Sequence, residues 1–585
     1  MPRSLVKAES LLAIDVGSIS TRVSLFDVVD ARYRYLGSGV AQSTANAPYN
    51  DIGEGIHQAI EQLQTITGRV LFDEDAKLIT PERVDGSGVD VVVATVSAGP
   101  PLQTIVAGLL EDISVESAAR LASSINAQVI TRLSLSDHRS NEERLNLILQ
   151  SKPDLILAAG GSDHGAQQAV MRLLETVGLA CMLMPEDNRP EILFVGNSAI
   201  QEKVRHTMGA VGTVHFAPNI RPALEVEELG PARVELANAY RRIRRKQMPG
   251  FYELDQWTNG GVLPPSHGWE RVVRVLSKAY DPKKGVLGVD LGASAVTLAA
   301  GLGGDAVVGV YPQYGLGNPF LRNLEQVSLA NVHRWLMHDL PLSELRNILL
   351  TRQIFPASLP MTEEELDVEL ALATVMLQSS MKEFLPRVKG LAGGGEAPIL
   401  PAMEPVLASG SLLTHAARLA HSAMTLLDGI QPTRITTLIL DQHHLIPPLG
   451  AAAAANPILA VQAMDFGTLL NLATVIAPVG KARPGTTILK VRISDEDGRE
   501  QKLDVRYGSL HCIPLAVGKS LQLHLQPYHG FDIGMGGAGV GGRVRLAGSA
   551  LGVIIDARGR PLQLPRDAQQ RREMLKRWMN TLEKK

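Results

Sequence analysis

The chain is short of cysteine, of net charge and of uninterrupted apolar sequence, and each shortage argues against a class of protein. Only two cysteines occur in 585 residues, Cys181 and Cys512. They lie far apart and outside any metal-ligand spacing, which argues against a disulfide framework and a zinc site. The formal net charge is −3, a balance that gives no reason to expect nucleic acid or an acidic membrane surface as partner. The most membrane-like stretch, 451–479, is broken by Asn456, Pro457, Asp465 and Asn471 and reads as buried or amphipathic helix, with no membrane role. Residues 1–10 are polar and of both charge signs. They lack the apolar core of a signal peptide, so the cytoplasm is the expected compartment.

What the chain does have is one short pattern twice. Residues 12–21 and 287–296 each run from an apolar stretch through an Asp and a tight Gly turn into a second apolar stretch. Both read as β-hairpins with an acid at the turn. Glycine lets the backbone approach a phosphate, the turn amides and hydroxyls can donate to it, and the Asp can hold a hydrated divalent cation beside it. The first copy offers Asp15, Gly17, Ser18, Ser20 and Thr21; the second offers Asp290, Gly292 and Ser294. Two copies so far apart suggest one in each of two related lobes, together holding a nucleotide.

The rest of the chain supports that organisation. At this length several domains are expected. After a tail at 1–10, residues 11–280 alternate β-rich runs (11–16, 21–28, 89–95, 154–159, 191–195) with helical spacing (52–65, 117–124, 166–177, 231–246), the mark of an α/β lobe. A Pro- and Lys-bearing boundary at 281–285 precedes a second lobe, 286–479, with helices expected over 324–337, 341–352 and 362–385. A Gly/Pro-rich boundary then leads to a β-rich domain at 485–563, with runs at 486–493, 501–507, 520–526 and 543–555, and to a charged helix within 564–585.

Several conspicuous residues have plainer readings. The basic run 241–246 reads as a solvated helix end that complements the helix dipole. His443 and His444 beside Asp441 lack further ligands at a recognisable spacing. Asp163 and His164 stand at a strand end, where functional groups collect in α/β folds, although a capped turn explains them equally. The glycine-rich run 534–542 lacks the Lys-Ser/Thr of a P-loop and reads as a β connection.

The paired hairpins resemble phosphate 1 and phosphate 2 of the actin, Hsp70 and sugar-kinase superfamily, whose two RNase H-like lobes clamp Mg-ATP. That resemblance implies an adenosine motif, a strand followed by a Gly-rich turn late in the second lobe. Residues 405–416, with Ser409, Gly410 and Ser411, match it best; the run 391–396 is a rival without a clear preceding strand. A closer resemblance lies in ordered blocks at 153–165, 192–197 and 218–222, with a weaker one at 438–441. These are similar to the glutamate mutase L family, also called MutL or methylaspartate mutase accessory protein, over roughly residues 10–480. Membership implies an ATP- and Mg²⁺-using reactivating or assembly factor whose partner is a subunit of a cobalamin-dependent mutase.

This chain departs from the family pattern at several points. In the second hairpin Ala295 stands for a hydroxyl and Thr297 for a second acid; Ser411 stands for a Gly, Arg22 for a Lys and Ala166 for an Asn. Losing a carboxylate near the metal weakens cation placement, and with it hydrolysis, more than nucleotide binding. The expectation is therefore a weak ATPase or a site altered in ligand or inactive. Two other classes stay open: a nucleotide-free actin-like scaffold that binds a partner through its surface and β-rich domain, and a small-molecule kinase. No catalytic base is assigned.

Overall fold

The computed structural model describes residues 9–163, 165–209, 213–281, 283–317, 328–394, 399–454, 456–465, 468–496 and 498–583. His164, most of the 1–10 tail, residues 324–327 of an expected helix, and Gly395 and Glu396 of the rival adenosine turn lie outside them. The chain forms two compact units.

The first unit comprises Glu9–Phe26 and Leu36–His267. Its opening sheet has four strands, β1 (Leu11–Val16), β2 (Ser20–Val29), β3 (Arg32–Gln42) and β4 (Val91–Val96), in the order β3-β2-β1-β4. Strand β1 is buried along its whole length because it lies between β2, antiparallel, and β4, parallel. The helix Ile52–Thr67 starts at an Asp51 side chain that accepts from Gly53 N and ends at Gly68 with φ 74°. Its Ile52, Ile56, Ala59, Ile60 and Leu63 share a core with Leu12, Ile14 and Val16, the i, i+4, i+7 spacing of an amphipathic helix laid on a sheet.

The stretch expected as one lobe also holds a second sheet. Strands β5 (Leu102–Gly108), β6 (Ala127–Ser134), β7 (Leu155–Ala158), β8 (Glu191–Phe194) and β9 (Val214–Phe216) are all parallel, in the order β6-β5-β7-β8-β9. Separate apolar clusters bury helices against it, as in a doubly wound α/β module.

The second unit contains the residues from Gly268 onward, with Asp27–Tyr35 counted among them. Here β10 (Gly285–Leu291), β11 (Val296–Leu302), β12 (Asp305–Tyr311), β13 (Met403–Ser409), β14 (Arg434–Leu440) and β15 (Leu470–Ala477) are followed by β16 (Thr487–Asp495), β17 (Glu500–Arg506), β18 (Leu510–Ile513), β19 (Ser520–Pro527), β20 (Gly542–Ala547) and β21 (Val553–Asp556). The larger sheet runs β12-β11-β10-β13-β14-β15-β21-β18. Its first five strands, three antiparallel then two parallel, have the RNase H-like order, and the β3-β2-β1-β4 sheet repeats the first four places. The fold is thus α/β with actin-type sheets in both units. Within β10, Gly288 is required: a Cβ there would stand 2.6 Å from the ring of Trp269, a fully buried indole.

Three expectations are corrected by this architecture. The stretch 451–479 is helix only as far as Asp465 and then becomes the buried strand β15, because its β-branched end is taken up in the sheet; among the described residues no helix is long and apolar enough to cross a membrane. The run 543–555 is two strands in different sheets, separated at Gly552 with φ 78°. The segment 485–563 accordingly divides between the large sheet (β18, β21) and a four-stranded antiparallel sheet of order β17-β16-β19-β20. The terminal helix Ala568–Glu583 buries Leu575, Trp578, Met579 and Leu582 in the second unit's main core.

Two aspartate turns as candidate phosphate sites

The two hairpins close by the same hydrogen bond. Gly17 N donates to Ser20 O at 3.0 Å and Gly292 N to Ala295 O at 3.1 Å. In each turn a glycine Cβ would sit 2.8 Å from that carbonyl oxygen, so close approach, rather than left-handed backbone, demands glycine. Register fixes the equivalence: Asp15 faces Arg22 on β2 as Asp290 faces Thr297 on β11. The likeness extends to a third strand, where Asp15 is level with Thr95 on β4 and Asp290 with Ser409 on β13. Thr95 Oγ1 donates to Asp15 Oδ1 at 2.5 Å.

Both acids are nearly enclosed, Asp15 at 5% and Asp290 at 7% exposure. Ser18 and Ser20 are half-buried at the first turn, and the amides of Ser18 and Ile19 meet no acceptor among the described residues. Ala293 N is in the same position in the second turn. Thr21, expected among the phosphate-contacting hydroxyls, is instead 1% exposed and turned toward the helix Ile52–Thr67, where a Cβ on Gly55 would lie 3.4 Å from its Oγ1. Ser294 is buried, and the segment behind it closes the turn: Leu316 N donates to Gly292 O and Gly317 N to Ala293 O. Ala295 and Thr297, the two departures, are buried as well, each at 7%.

The expected adenosine turn lies beside the second of these turns. Gly410 has φ 110°, and a Cβ there would stand 2.2 Å from Leu291 O, so Ser409, Gly410 and Ser411 are held against the strand end that carries Asp290. Ser409 Oγ is 2.6 Å from Nδ1 of His444, whose own φ of 56° is uncommon for a residue with a side chain. Asp441 accepts from Leu445 N and Ile446 N and so starts the next helix. Sequence reading missed Thr95 and His444 as members of this arrangement. Thr95 carries a weak signal, a hydroxyl in an otherwise apolar strand; His444 was conspicuous beside Asp441, but its pairing with Ser409, 35 residues away, leaves no mark in the sequence.

Among the described residues no group of three or more His, Cys, Asp and Glu side chains could hold a metal ion. A cation at Asp15 or Asp290 would therefore be bound through water and phosphate oxygens, as suits Mg²⁺.

The family-like blocks in the first unit meet at the C-terminal edge of the parallel sheet. Asn197 N donates to Gly160 O, Asn219 Nδ2 to Gly161 O, and Asp163 Oδ1 accepts from Ser198 Oγ and Asn219 Nδ2, both at 2.9 Å. Asp163 thus ties three loops together. The basic run 241–246 ends its helix and leaves Arg245 and Lys246 exposed, as expected, but it is not solvated throughout. Arg242 and Lys246 pair with Glu191, Arg244 is fully buried and donates to Pro100 O, and Arg245 lies over the Tyr252 ring at 4.3 Å.

No curated protein matches the chain in sequence. Among solved structures it is similar to ethanolamine utilization protein EutJ from Carboxydothermus hydrogenoformans, at 9% identity over 77% of this chain and 93% of that one, TM-score 0.27. Similarity extends to xylulose kinase from Bifidobacterium adolescentis, at 10% identity, 77% and 93% coverage and TM-score 0.28. A diol dehydratase-reactivating factor in nucleotide-free form matches at 10% identity, 78% and 99% coverage and TM-score 0.28. The family model described as MutL protein matches residues 11–466, and the chain belongs to that family.

Proposed function

We propose that this protein is an ATP-binding accessory factor that reactivates or assembles an adenosylcobalamin-dependent mutase. The observation that carries the nucleotide half is the shared geometry of the two turns: a glycine amide closing each, an enclosed Asp level with a hydroxyl on the parallel strand, and turn amides without acceptors among the described residues. Family membership supports the accessory half.

In this reading the amides of Ser18, Ile19 and Ala293 and the hydroxyls of Ser18, Ser20 and Ser294 donate to phosphate oxygens, as successive backbone N–H groups do in anion-binding turns. Asp15 and Asp290 orient the water shell of Mg²⁺. Bound Mg²⁺ supplies charge neutralisation and polarises the terminal phosphoryl group. Ser411, exposed where Ser409 and Gly410 are buried and shape the turn, receives the nucleoside. Thr297 cannot act as an acid, which predicts slow turnover. Coupling to the mutase requires only that nucleotide-bound and nucleotide-free states differ in affinity for it. Titration with Mg-ATP tests the proposal; no saturable heat at millimolar nucleotide would sink it.

A second reading, a nucleotide-free scaffold, is favoured by the buried Ala295 and Thr297 in place of a hydroxyl and an acid. Asp15→Ala separates the two: a scaffold keeps its partner's activity, an ATP-driven factor loses it.

A further inference from the structure

The four-stranded sheet β17-β16-β19-β20 lies beyond the residues matched by the family model. One face is apolar: Leu489, Val491, Val505, Leu523 and Leu525 are buried in a single cluster. Period-two alternation sends the residues between them to the other face. There the register aligns Lys502 with Arg492, Arg492 with His524, and His524 with Arg543. One basic row therefore crosses all four strands without an acid in it. Lys502, Arg492 and Arg543 are exposed and His524 is half-buried.

Lys502 and Arg492 are like charges directly opposite one another on neighbouring strands, a destabilising pair, and no ion pair with a described residue offsets them. None of the four side chains makes a hydrogen bond or ion pair among the described residues. Arg545 on the same face, by contrast, donates to Ser520 Oγ, and the cations of 241–246 have internal partners. We infer that this face docks an acidic segment of a partner protein. The row spans about 14 Å, three strand spacings of about 4.8 Å, the reach of roughly four extended residues. A protein segment fits better than nucleic acid on two grounds. The row offers no Trp, Tyr or Phe for base stacking. Asp504 and Glu500, level with Lys490 and Ser494, interrupt the positive field on either side. The inference rests on the accessory-factor half of the proposed function, and not on nucleotide binding.

The test is fluorescence anisotropy of a short labelled glutamate-rich peptide titrated with the full chain at low and at high salt. Binding is expected at low salt, weakening as salt rises, and weakening about tenfold in the triple variant R492S/K502S/R543S, a change of ~1.4 kcal/mol. That variant, freed of the Lys502–Arg492 repulsion, should keep or raise its melting temperature and should keep its response to Mg-ATP. The variant E500S/D504S, which only removes flanking acids, should bind the peptide more tightly. Absence of peptide binding by the wild type, equal binding by the triple variant, or tighter capture of a single-stranded oligonucleotide through the same three side chains would each overturn the inference. Nucleotide response is read separately, so failure here is distinct from failure of the ATP proposal.

Discussion

At the scale of single residues, Gly17 and Gly292 show what the repeated turn requires. Each faces a carbonyl oxygen that a Cβ would approach to 2.8 Å, and that oxygen belongs to a strand end held on both sides. Gly17→Ala and Gly292→Ala are each expected to destabilise their hairpin by about 1–3 kcal/mol, read as lowered melting temperature together with weakened Mg-ATP binding; an unchanged melting temperature would contradict the close approach. Arg558 is a second such residue. It pairs with Asp428 and Asp556 and lies over Trp578 at 4.6 Å, entirely buried. Burial alone would raise the Asp556 carboxyl, but Arg558 and Arg560 outweigh it and hold that group well below the usual carboxylate range. Arg558→Ala leaves two buried acids without this partner, and a loss of about 3–5 kcal/mol in denaturant unfolding is the expected outcome.

At the scale of elements, the helix Gly230–Gln247 fastens onto the start of β8 through Glu191, which pairs with Arg242 and Lys246 and lies 3.1 Å from His215. Burial would raise the Glu191 carboxyl, yet Lys246 and Arg242 bring it below its ordinary value. Burial, then Arg242, lowers the His215 imidazole. Both groups hold their protons less well folded than unfolded, so both contribute stability at high pH that is lost on acidification. The loss begins near the unfolded His value of about 6.5 and continues below the unfolded Glu value of about 4.3. Melting temperature should therefore fall between pH 7 and pH 5, and His215→Gln should flatten that slope; an equal slope in the variant would remove His215 from the account.

The same scale shows what the sequence could disclose. The two hairpins were legible because an apolar run, an Asp and a Gly turn are local. The partners Thr95 and Ser409 were not, since parallel strands bring them level with Asp15 and Asp290 across long stretches of chain. The run 241–246 was legible as a basic helix end but not in its pairings, since its acidic partner Glu191 lies 51 residues from Arg242. Strand β15 was hidden because a buried strand and a buried helix share apolar composition.

At the scale of the whole molecule, the C-terminal residues are part of the second unit's core. Strands β18 and β21 extend its main sheet, and the helix Ala568–Glu583 buries Trp578 and three aliphatic side chains there. Ending the chain at residue 567 should uncover that apolar face and strip Arg558 of its ring, giving a lower melting temperature and concentration-dependent association by light scattering; a monomeric, equally stable truncation would show the helix to be dispensable. The repeated turns set the larger question, since in the proposed function their shared geometry would hold phosphate whereas Ala295 and Thr297 would slow turnover. Calorimetric titration of the full chain with Mg-ATP, beside Asp15→Ala and Asp290→Ala, addresses it most directly. Saturable heat in the wild type, lost in both variants while their melting temperatures in the absence of nucleotide stay near the wild type's, is the predicted result. No heat at millimolar Mg-ATP, or equal heat in the variants, would contradict it.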